Sequence, residues 1–350
     1  MSTGRDFTSD NAAAAAPAVI EAIARANAGT ALAYGDDPYT SELQSRLAAI
    51  FEHDVTVLPM FTGTAANALA LSCIAPPFGA VFCHSAAHIF TSECGAAEFY
   101  TGGAKLMPLE GDEGRIDPFA FEQGLGDLGK GVMHHVQPAA LSLTHATESG
   151  TLYSARQIAE LSGIAHSYGL KVHMDGARLS NALAAQGARA GDVTWRSGVD
   201  VLSFGLTKNG GMAAEALIFF DDALAKEARF RQKRAGQVAS KMRFVSVQLL
   251  ALLEGGLWLK LAAHANTMAL RLATGARAAG AEVALPTQIN EVFLKLDRTH
   301  ADRLRTERFA FHPWATEPAE GPCVYRFVTS FATDEHDVDA LLAELGRAKR

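Results

Sequence analysis

The stretch Leu170-Lys171-Val172-His173-Met174-Asp175-Gly176-Ala177-Arg178 decides how this chain is interpreted. Its first five residues form a short apolar run typical of a buried strand, and a helical pattern follows it, so Asp175 and Arg178 stand at a strand's carboxyl end. A second apolar run, residues 199–204, ends in the same way before Lys208. Ligands of open α/β sheets bind at the carboxyl ends of the strands. We therefore expect a carboxylate, an arginine and a lysine at one binding site.

Asp175 and Lys208 are the residue types that pyridoxal phosphate requires. The cofactor's aldehyde forms a Schiff base with a lysine, and its pyridine nitrogen stays protonated beside a carboxylate. Taken singly, Asp175 is explained as well by a helix cap and Lys208 by a solvated loop. Because they occur together and in this order, they predict a pyridoxal phosphate site.

Length, charge and composition limit the class of protein. At 350 residues the chain exceeds the usual size of one hydrophobic core, so a large domain with a smaller one is expected. The net charge of -7 argues against a general nucleic-acid binder. An uninterrupted run of 18 apolar residues is missing, and residues 1–6 do not resemble a signal peptide, so no membrane partner and a cytoplasmic location are expected. The cysteine spacings predict reduced structural thiols and no metal site (Cys73, Cys83, Cys94, Cys323).

The order of predicted elements indicates an α/β fold. Strands and helices alternate through the large domain (26–245), which implies a mostly parallel sheet and follows an N-terminal segment (1–25). The last part (246–350) begins with an apolar helix over residues 245–263 that joins the domains and continues as a small α+β domain. Residues 131–137 are predicted to form a short strand.

Three further segments of the large domain carry candidate site residues. Gly63 and Thr64 lie in a turn between a strand and a helix, an arrangement that binds anions because the first helical amides have no internal partner. His88 follows another strand and either stacks on a cofactor ring or is structural. His145 and Glu148 lie in a polar loop after a strand and form either an acid–base pair or a solvated pair.

Residues near both ends of the chain are also candidates. Ser9 is either a helix cap or a ligand-binding hydroxyl, and Tyr34 either packs in its loop or meets a partner or substrate. Arg326 stands among apolar strand residues and needs an anion, supplied by an internal ion pair or by a substrate carboxylate. The basic residues of 229–243 have two interpretations. Either one of them reaches a phosphate across a subunit interface, or all of them form a solvated face.

Taken together, these segments resemble the L-threonine aldolase family, which are pyridoxal phosphate enzymes with the aspartate aminotransferase fold (fold type I). The resemblance covers nearly the whole chain and rests on residues 9–10, 61–67, 87–88, 173–178, 203–208 and 326–330. Within that family the chain looks most similar to L-phenylserine aldolases, which share its Thr-Lys-Asn-Gly element and its Lys241-Met242-Arg243-Phe244 stretch.

The resemblance implies roles for these residues. Lys208 is the Schiff-base lysine, Asp175 is the pyridinium partner and His88 stacks on the ring. The cofactor phosphate is bound by Gly63, Thr64 and Thr207. The substrate carboxylate is bound by Ser9, Arg178 and Arg326, and Arg178 also lies beside the cofactor. His145 corresponds to a second active-site histidine. A homotetramer, a dimer of dimers with shared active sites, is implied, with Tyr34 and the basic helix as intersubunit candidates.

The implied reaction is retro-aldol cleavage of an L-3-hydroxy-α-amino acid to glycine and an aldehyde. The alternatives are β-elimination or transamination on the same residues, and a non-enzymatic binding module, against which the complete set of catalytic residues argues. Two departures from the family pattern bear on side-chain preference: Thr-Lys-Asn-Gly-Gly (207–211) replaces Ser-Lys-Gly-Leu-Gly, and residues 146–148 lack the usual asparagine after the histidine. A nucleotide site is excluded because neither glycine-rich nucleotide motif follows a strand.

Overall fold

The computed structural model describes residues 5–318 and 321–347. Residues 1–4, part of the segment expected not to be a signal peptide, lie outside the described residues. The strands in chain order are β1 (Arg5–Asp6), β2 (Thr56–Met60), β3 (Gly79–His84), β4 (Lys105–Leu109), β5 (Gln137–Thr144), β6 (Lys171–Gly176), β7 (Val201–Gly205), β8 (Glu215–Phe219), β9 (Glu282–Val283), β10 (Glu291–Asp297), β11 (Phe309–Ala310), β12 (His312–Pro313) and β13 (Pro322–Val328).

The helices begin where the sequence supplies caps or proline. Asp37 caps the helix that starts at Pro38, and Ser154 and Gln157 form a reciprocal capping box. The helices in chain order are α1 (Pro17–Ala26), α2 (Pro38–Phe51), α3 (Gly63–Ile74), α4 (His88–Thr91), α5 (Ala96–Thr101), α6 (Pro118–Leu128), α7 (Ala155–Ser167), α8 (Leu179–Gln186), α9 (Asp222–Ala225), α10 (Ala228–Arg234), α11 (Arg243–Leu253), α12 (Leu257–Ala278), α13 (Arg298–Thr306) and α14 (Glu335–Arg347).

The large sheet has seven strands in the order β2-β8-β7-β6-β5-β3-β4. Strand β8 runs antiparallel to β2 and β7, whereas the pairs from β7 to β4 are parallel. The predicted mostly parallel sheet is therefore confirmed. Because the parallel strands point the same way, the ends of β5, β6 and β7 meet at one edge, where the site lies.

Helices cover both faces of this sheet. Ala216 and Ile218 of β8 pack into the largest core cluster, with side chains of α2, α7 and α8, whereas the intervening Leu217 and Phe219 pack with α3 on the other face. The alternation follows from the opposite directions of successive side chains in a strand. Burial on both faces explains why these strands are near-continuous apolar runs.

A second hydrophobic cluster lies in the C-terminal part of the chain. Its antiparallel sheet has the order β12-β13-β10-β9, and α12, α13 and α14 contribute buried side chains to the cluster. Phe7 belongs to the same cluster, and its carbonyl accepts a hydrogen bond from the Val328 amide at 2.8 Å. The N-terminal strand β1 pairs with β11. Residues 5–7 are thereby held against the C-terminal cluster.

Two expected elements differ from those observed. The single helix expected over residues 245–263 is wrong, because Gly255 and Gly256 have φ of 57° and 70° and break it into α11 and α12. By length and composition the stretch Arg243–Ala278 could cross a membrane, but half of its most apolar window is buried inside the protein, as in a core helix. The strand predicted over residues 131–137 is also wrong, because residues 131–136 form a turn region and the strand begins only at Gln137. The Gln137 side chain accepts a hydrogen bond from the Gly131 amide and donates one to the Val132 carbonyl.

Candidate active site

A cavity of about 390 Å³ opens at the carboxyl edge of the large sheet. Its lining comes from the ends of several strands and from the first turns of the helices that follow them. The polar and glycine residues of its lining include Gly63, Thr64, Asn67, His88, Glu93, Glu148, Asp175, Arg178, Thr207, Lys208 and Glu215. The structure therefore brings together the residues that the sequence predicted at the ends of β6 and β7.

Asp175 lies near the end of β6 and is 5% exposed. Its Oδ1 accepts the Ala177 amide at 3.0 Å and its Oδ2 accepts the Asn67 side-chain amide at 2.8 Å. Gly176 follows because a Cβ there would lie 2.9 Å from the Ser203 carbonyl on the neighbouring strand. These contacts hold a carboxylate in a fixed orientation at the cavity floor.

His88 and Glu93 form the second polar pair of the cavity. The His88 Nδ1 lies 2.8 Å from Glu93 Oε1, which also accepts the Asn67 side-chain amide at 2.9 Å. The Glu93 side chain is fully buried, whereas that of His88 is 45% exposed. The hydrogen bond that the His88 ring donates to Glu93 raises the pKa of His88, although burial opposes the charge. Asn67 thus links His88, through Glu93, to Asp175.

The start of α3 forms an anion-binding turn. Thr62 caps the helix by accepting the Ala65 amide at 3.1 Å, and Gly63 and Thr64 line the cavity in the first turn. Thr207, across the cavity, accepts the Ala214 amide at 3.0 Å through its hydroxyl. Free amides at a helix start and nearby hydroxyls suit a phosphate group.

Lys208 projects from a short 3₁₀ turn (Thr207–Asn209) after β7. The following Asn209 is buried and donates its side-chain amide to the Trp258 carbonyl at 2.7 Å. Gly210 has φ of 104°, which favours glycine, and its carbonyl accepts the Ala16 amide at 2.8 Å. The backbone that carries the lysine is therefore fixed on both sides.

Glu215, which the sequence did not single out, begins β8 beside this lysine. A Cβ on Gly205 would lie 2.7 Å from its Oε2, so glycine is needed there to accommodate the carboxyl group. Burial raises the pKa of Glu215 to about 7, against the opposing effects of Thr207 and Lys208. A second titratable carboxyl group therefore faces the anion-binding turn.

The two predicted carboxylate-binding arginines lie in a buried ion-pair network. Arg178 donates Nε to Asp10 Oδ2 at 2.8 Å and Nη2 to Asp10 Oδ1 at 3.0 Å. Glu291 Oε1 lies 3.6 Å from Arg178 Nη2 and 3.4 Å from Arg326 Nη1. Burial opposes ionisation of Asp10, but the charges of Arg178 and Lys208 outweigh it and hold the Asp10 pKa below its usual range. Arg178 lines the cavity, whereas Arg326 is not among its lining residues.

His145 does not reach the cavity. It is fully buried, its ring centroid lies 6.3 Å from that of Tyr153, and neither ring nitrogen has a hydrogen-bond partner among the described residues. Burial lowers the pKa of His145 to about 4, so the ring is neutral. Thr144, Ala146 and Glu148 line the cavity instead. The predicted acid–base position of His145 is therefore not found, because its buried side chain is absent from the cavity lining.

Two other predicted residues lie outside the cavity of this chain. The Ser9 hydroxyl accepts the Asn11 amide at 3.1 Å and caps a 3₁₀ turn, and it is the next residue, Asp10, that contacts Arg178. Tyr34 is 52% exposed and lines a separate cavity that Arg229 also lines. Lys233 Nζ lies 4.8 Å from the centre of the Tyr34 ring. Within a single chain, therefore, neither residue contributes to the site.

Comparison with known proteins identifies the family of this chain. Residues 6–299 match the family model described as beta-eliminating lyase. The chain belongs to the beta-eliminating lyase family. Its relatives include the low specificity L-threonine aldolases of Pseudomonas sp. (strain NCIMB 10558) and Pseudomonas aeruginosa, 38% and 37% identical over 97% of this chain and 97% of each relative.

Solved structures confirm the fold of this beta-eliminating lyase family member. The threonine aldolase of Leishmania major superimposes with a TM-score of 0.93 over 99% of both chains, at 29% identity. A serine palmitoyltransferase of Sphingomonas wittichii, 14% identical, superimposes with a TM-score of 0.72 over 99% of this chain and 87% of its own. The predicted fold type I architecture is therefore confirmed.

The residues of the cavity fit pyridoxal phosphate, the cofactor of this beta-eliminating lyase family member. A buried carboxylate (Asp175), a lysine (Lys208) and the start of α3 line the same cavity, which has the volume of a small-molecule site. Gly63 at the helix start brings no side chain into the anion-binding turn. Within residues 5–318 and 321–347, no cluster of three or more His, Cys, Asp or Glu side chains is arranged for a metal ion.

Sequence reasoning missed Asn67, Glu93, Asp10 and Glu291 in this beta-eliminating lyase family member. One signal was available for Asn67, because a single asparagine in an alanine- and leucine-rich helix is expected to be buried and to need polar partners. Glu93 lies only five residues from His88 but belongs to no recognisable motif, and Glu291 lies far in sequence from Arg178 and Arg326. Only the folded chain pairs them.

Proposed function

We propose that this protein is a pyridoxal phosphate-dependent aldolase that cleaves L-3-hydroxy-α-amino acids to glycine and an aldehyde. The observation that carries the proposal is the joint placement of Lys208, Asp175 and Arg178 at one cavity. The chain aligns over nearly its full length with relatives named low specificity L-threonine aldolase. The proposed substrates are L-threonine, L-allo-threonine and L-phenylserine.

Each residue has a role that follows from its position. Lys208 binds the cofactor aldehyde, and Asp175, held by Asn67 and the Ala177 amide, stabilises positive charge on the pyridine nitrogen. When bound, pyridoxal phosphate supplies the electron sink for the electron pair released from the Cα–Cβ bond. His88 packs over the ring, and the turn of Gly63 and Thr64, with Thr207, holds the phosphate.

The arginines orient the substrate. Arg178 is aligned by its two hydrogen bonds to Asp10, so its guanidinium is already held in place when the amino-acid carboxylate arrives. Arg326 is the second proposed carboxylate partner, and Glu291 stands between the two arginines. Binding the carboxylate in one orientation fixes which bond at Cα is aligned for cleavage.

Two finer features belong to the same proposal. A preference for phenylserine over threonine is supported by the Thr-Lys-Asn-Gly element and residues 241–244. A homotetramer with shared sites is supported by the position of Tyr34. This residue is exposed near Arg229, outside the cavity of its own chain, and is available to line the cavity of a second subunit. The cytoplasm is the proposed location, in keeping with four free cysteines.

The test is product analysis. The purified protein, loaded with pyridoxal phosphate, is incubated with L-threonine, L-allo-threonine and L-phenylserine, and glycine and aldehyde are measured. Equal amounts of both products support the proposal, and the relative rates give the preferred β-substituent. Pyruvate or another keto acid in their place would assign the site to β-elimination or transamination, the first being the reaction in the family's name.

Lys208→Ala tests the cofactor site separately. We expect turnover to be abolished and borohydride reduction to leave no cofactor on the peptide that contains residue 208. Lys105→Ala, at an exposed position of β4, is the matched control and should keep both properties. A fully active Lys208→Ala protein would contradict the assignment.

A further inference from the structure

We propose that Glu148 is the general base that removes the proton of the substrate's β-hydroxyl group. The inference rests on the proposed aldol cleavage and names the residue that performs its proton transfer. It starts from the position of Glu148 in the cavity lining, where the neighbouring His145 is absent.

The turn that carries Glu148 is rigid. The Thr147 amide donates to the Thr151 carbonyl at 3.0 Å, the Gly150 amide donates to the Thr147 carbonyl at 2.9 Å, and the two threonine hydroxyls lie 2.7 Å apart. Gly150 has φ of 70°, a conformation that favours glycine. The carboxyl group is thus presented from a fixed backbone, as a catalytic group requires.

The two oxygens of Glu148 have different environments. Oε1 accepts the backbone amide of His88 at 2.8 Å, which anchors the side chain beside the residue proposed to pack over the cofactor ring. Oε2 is buried and has no hydrogen-bond partner in the part of the chain that the structure describes. A buried acceptor without a partner is costly. A substrate hydroxyl in the cavity would supply the missing donor.

The other titratable groups of the cavity are less suited to the task. Glu93 raises the pKa of His88, which favours the protonated ring, and a protonated imidazole has no lone pair to accept a proton. Glu93 Oε1 is already shared by His88 and Asn67. Glu215 lies beside Gly63 of the anion-binding turn and beside Gly205 at the end of β7.

The titration of Glu148 agrees with this position. Burial raises its pKa to about 7, and the negative charge of Asp175 adds to the effect, while its own amide, the His88 amide and the Thr144 side chain oppose it. Arg178, Cys83 and Tyr153 are the further titratable groups that interact with it. A base whose pKa lies near the working pH combines a usable ionised fraction with sufficient basicity.

The proposed step balances in atoms and electrons. The β-hydroxyl O–H bond breaks and its proton moves to Glu148 Oε2, while the C–O bond becomes the carbonyl of the aldehyde. The Cα–Cβ bond breaks and its electron pair remains on Cα, where pyridoxal phosphate, when bound, would stabilise it. Protonation of Cα then gives glycine, and Glu148 returns its proton to solvent.

The test separates cleavage from the other reactions of the cofactor. Glu148→Gln and Glu148→Asp are prepared as holoenzymes, and three quantities are measured: bound cofactor, exchange of the glycine Cα proton in D₂O by NMR, and aldehyde release. Exchange at Cα needs the cofactor and Lys208 but no base at a β-hydroxyl. Glu160→Gln is the matched control, since it makes the same change at an exposed glutamate of α7 that does not line the cavity.

We expect Glu148→Gln to lower kcat for cleavage by roughly 10²–10⁴-fold, with cofactor content, glycine exchange and KM within about threefold of the unmodified protein. Glu148→Asp should retain part of the activity, and the limb of the kcat/KM profile near pH 7 should move to lower pH. Glu160→Gln should change kcat less than about threefold.

Two results would overturn the inference. One is cleavage by Glu148→Gln at close to the normal rate, and the other is parallel loss of cleavage and glycine exchange, which would make Glu148 a structural support for the cofactor. Failure of the unmodified holoenzyme to release any aldehyde is a distinct outcome, because it would overturn the proposed function itself together with the step that depends on it.

Discussion

Arg178 and Asp10 form a two-bond ion pair, with Nε–Oδ2 at 2.8 Å and Nη2–Oδ1 at 3.0 Å. Asp10 comes from the first residues of the chain and Arg178 from the loop after β6. The Asp10 side chain is 1% exposed and that of Arg178 11%. The N-terminal segment therefore does more than precede the domain, because it fixes the orientation of an arginine at the active-site cavity.

Asp10→Asn should weaken both stability and substrate binding. The substitution leaves the buried Arg178 charge without its main partner, so we expect unfolding to become easier by about 3 kcal/mol. Because the guanidinium loses its alignment, kcat/KM for amino-acid cleavage should fall roughly tenfold, mostly through KM. Denaturant unfolding and steady-state kinetics measure the two effects.

Asp192→Asn is the control for this prediction. Asp192 makes the same two-bond contact with Arg189, at 2.9 and 3.0 Å, but the Arg189 side chain is 65% exposed. Solvent screens that pair, so its loss should leave the unfolding midpoint and the kinetics unchanged. Equal effects of the two substitutions would contradict the importance given to burial.

Glu93→Gln should lower the pKa of His88. The hydrogen bond and charge of Glu93 raise that pKa above the ordinary histidine value of 6.5, against the effect of burial. With glutamine, burial and the Lys208 charge remain, so the pKa should fall below its value in the unmodified protein. The His88 ring proton followed by NMR across pH 5–9 gives the answer, with His88→Asn used to assign the signal. An unchanged titration would show that Glu93 does not control this ring.

Glu215→Gln should stabilise the apoprotein at alkaline pH. The folded-state pKa of Glu215 is about 7 and its ordinary value is 4.5, so the folded protein holds the proton more tightly. Stability from this group is therefore complete below pH 4.5 and is lost as pH rises to 7, by up to roughly 3 kcal/mol. Glutamine removes the loss, and the gain in unfolding free energy should be larger at pH 8 than at pH 5. The same gain in unfolding free energy at pH 5 and pH 8 would contradict a raised folded-state pKa of Glu215.

Gly176→Ala should be destabilising by about 2 kcal/mol. The added Cβ would lie 2.8 Å from Leu202 Cδ1 and 2.9 Å from the Ser203 carbonyl, and the latter belongs to a central strand that cannot move freely. Gly163→Ala in α7 is the matched control. Apart from its own helix, no heavy atom of the described residues lies within 4 Å of a Cβ there, and alanine favours the helix by about 1 kcal/mol. Thermal unfolding of both variants should shift in opposite directions.

The elements that carry the site could be predicted from sequence. The helical pattern predicted after Arg178 is observed as α8, and the strands predicted before Asp175 and Lys208 differ from β6 and β7 by one or two residues. These segments are short apolar runs followed by turn residues, and local patterns of this kind depend little on the rest of the chain. The prediction of one helix over residues 245–263 was wrong because apolar composition alone does not show that Gly255 and Gly256 adopt positive φ.

Residue identity and order determined the fold class, the family and the set Gly63, Asp175 and Lys208, because each follows directly a strand whose end the sequence marks. Only the tertiary structure decided which neighbouring side chain faces the cavity. Thr144, Ala146 and Glu148 line it and His145 does not, because β5 ends at Thr144 and contacts with distant residues, such as the His145 amide with the Asp175 carbonyl, set the path of the irregular backbone that follows. The partners of the site were likewise decided by the fold: Asp10 meets Arg178, and Asn67 meets Asp175, only because elements distant in sequence converge at the edge of the sheet.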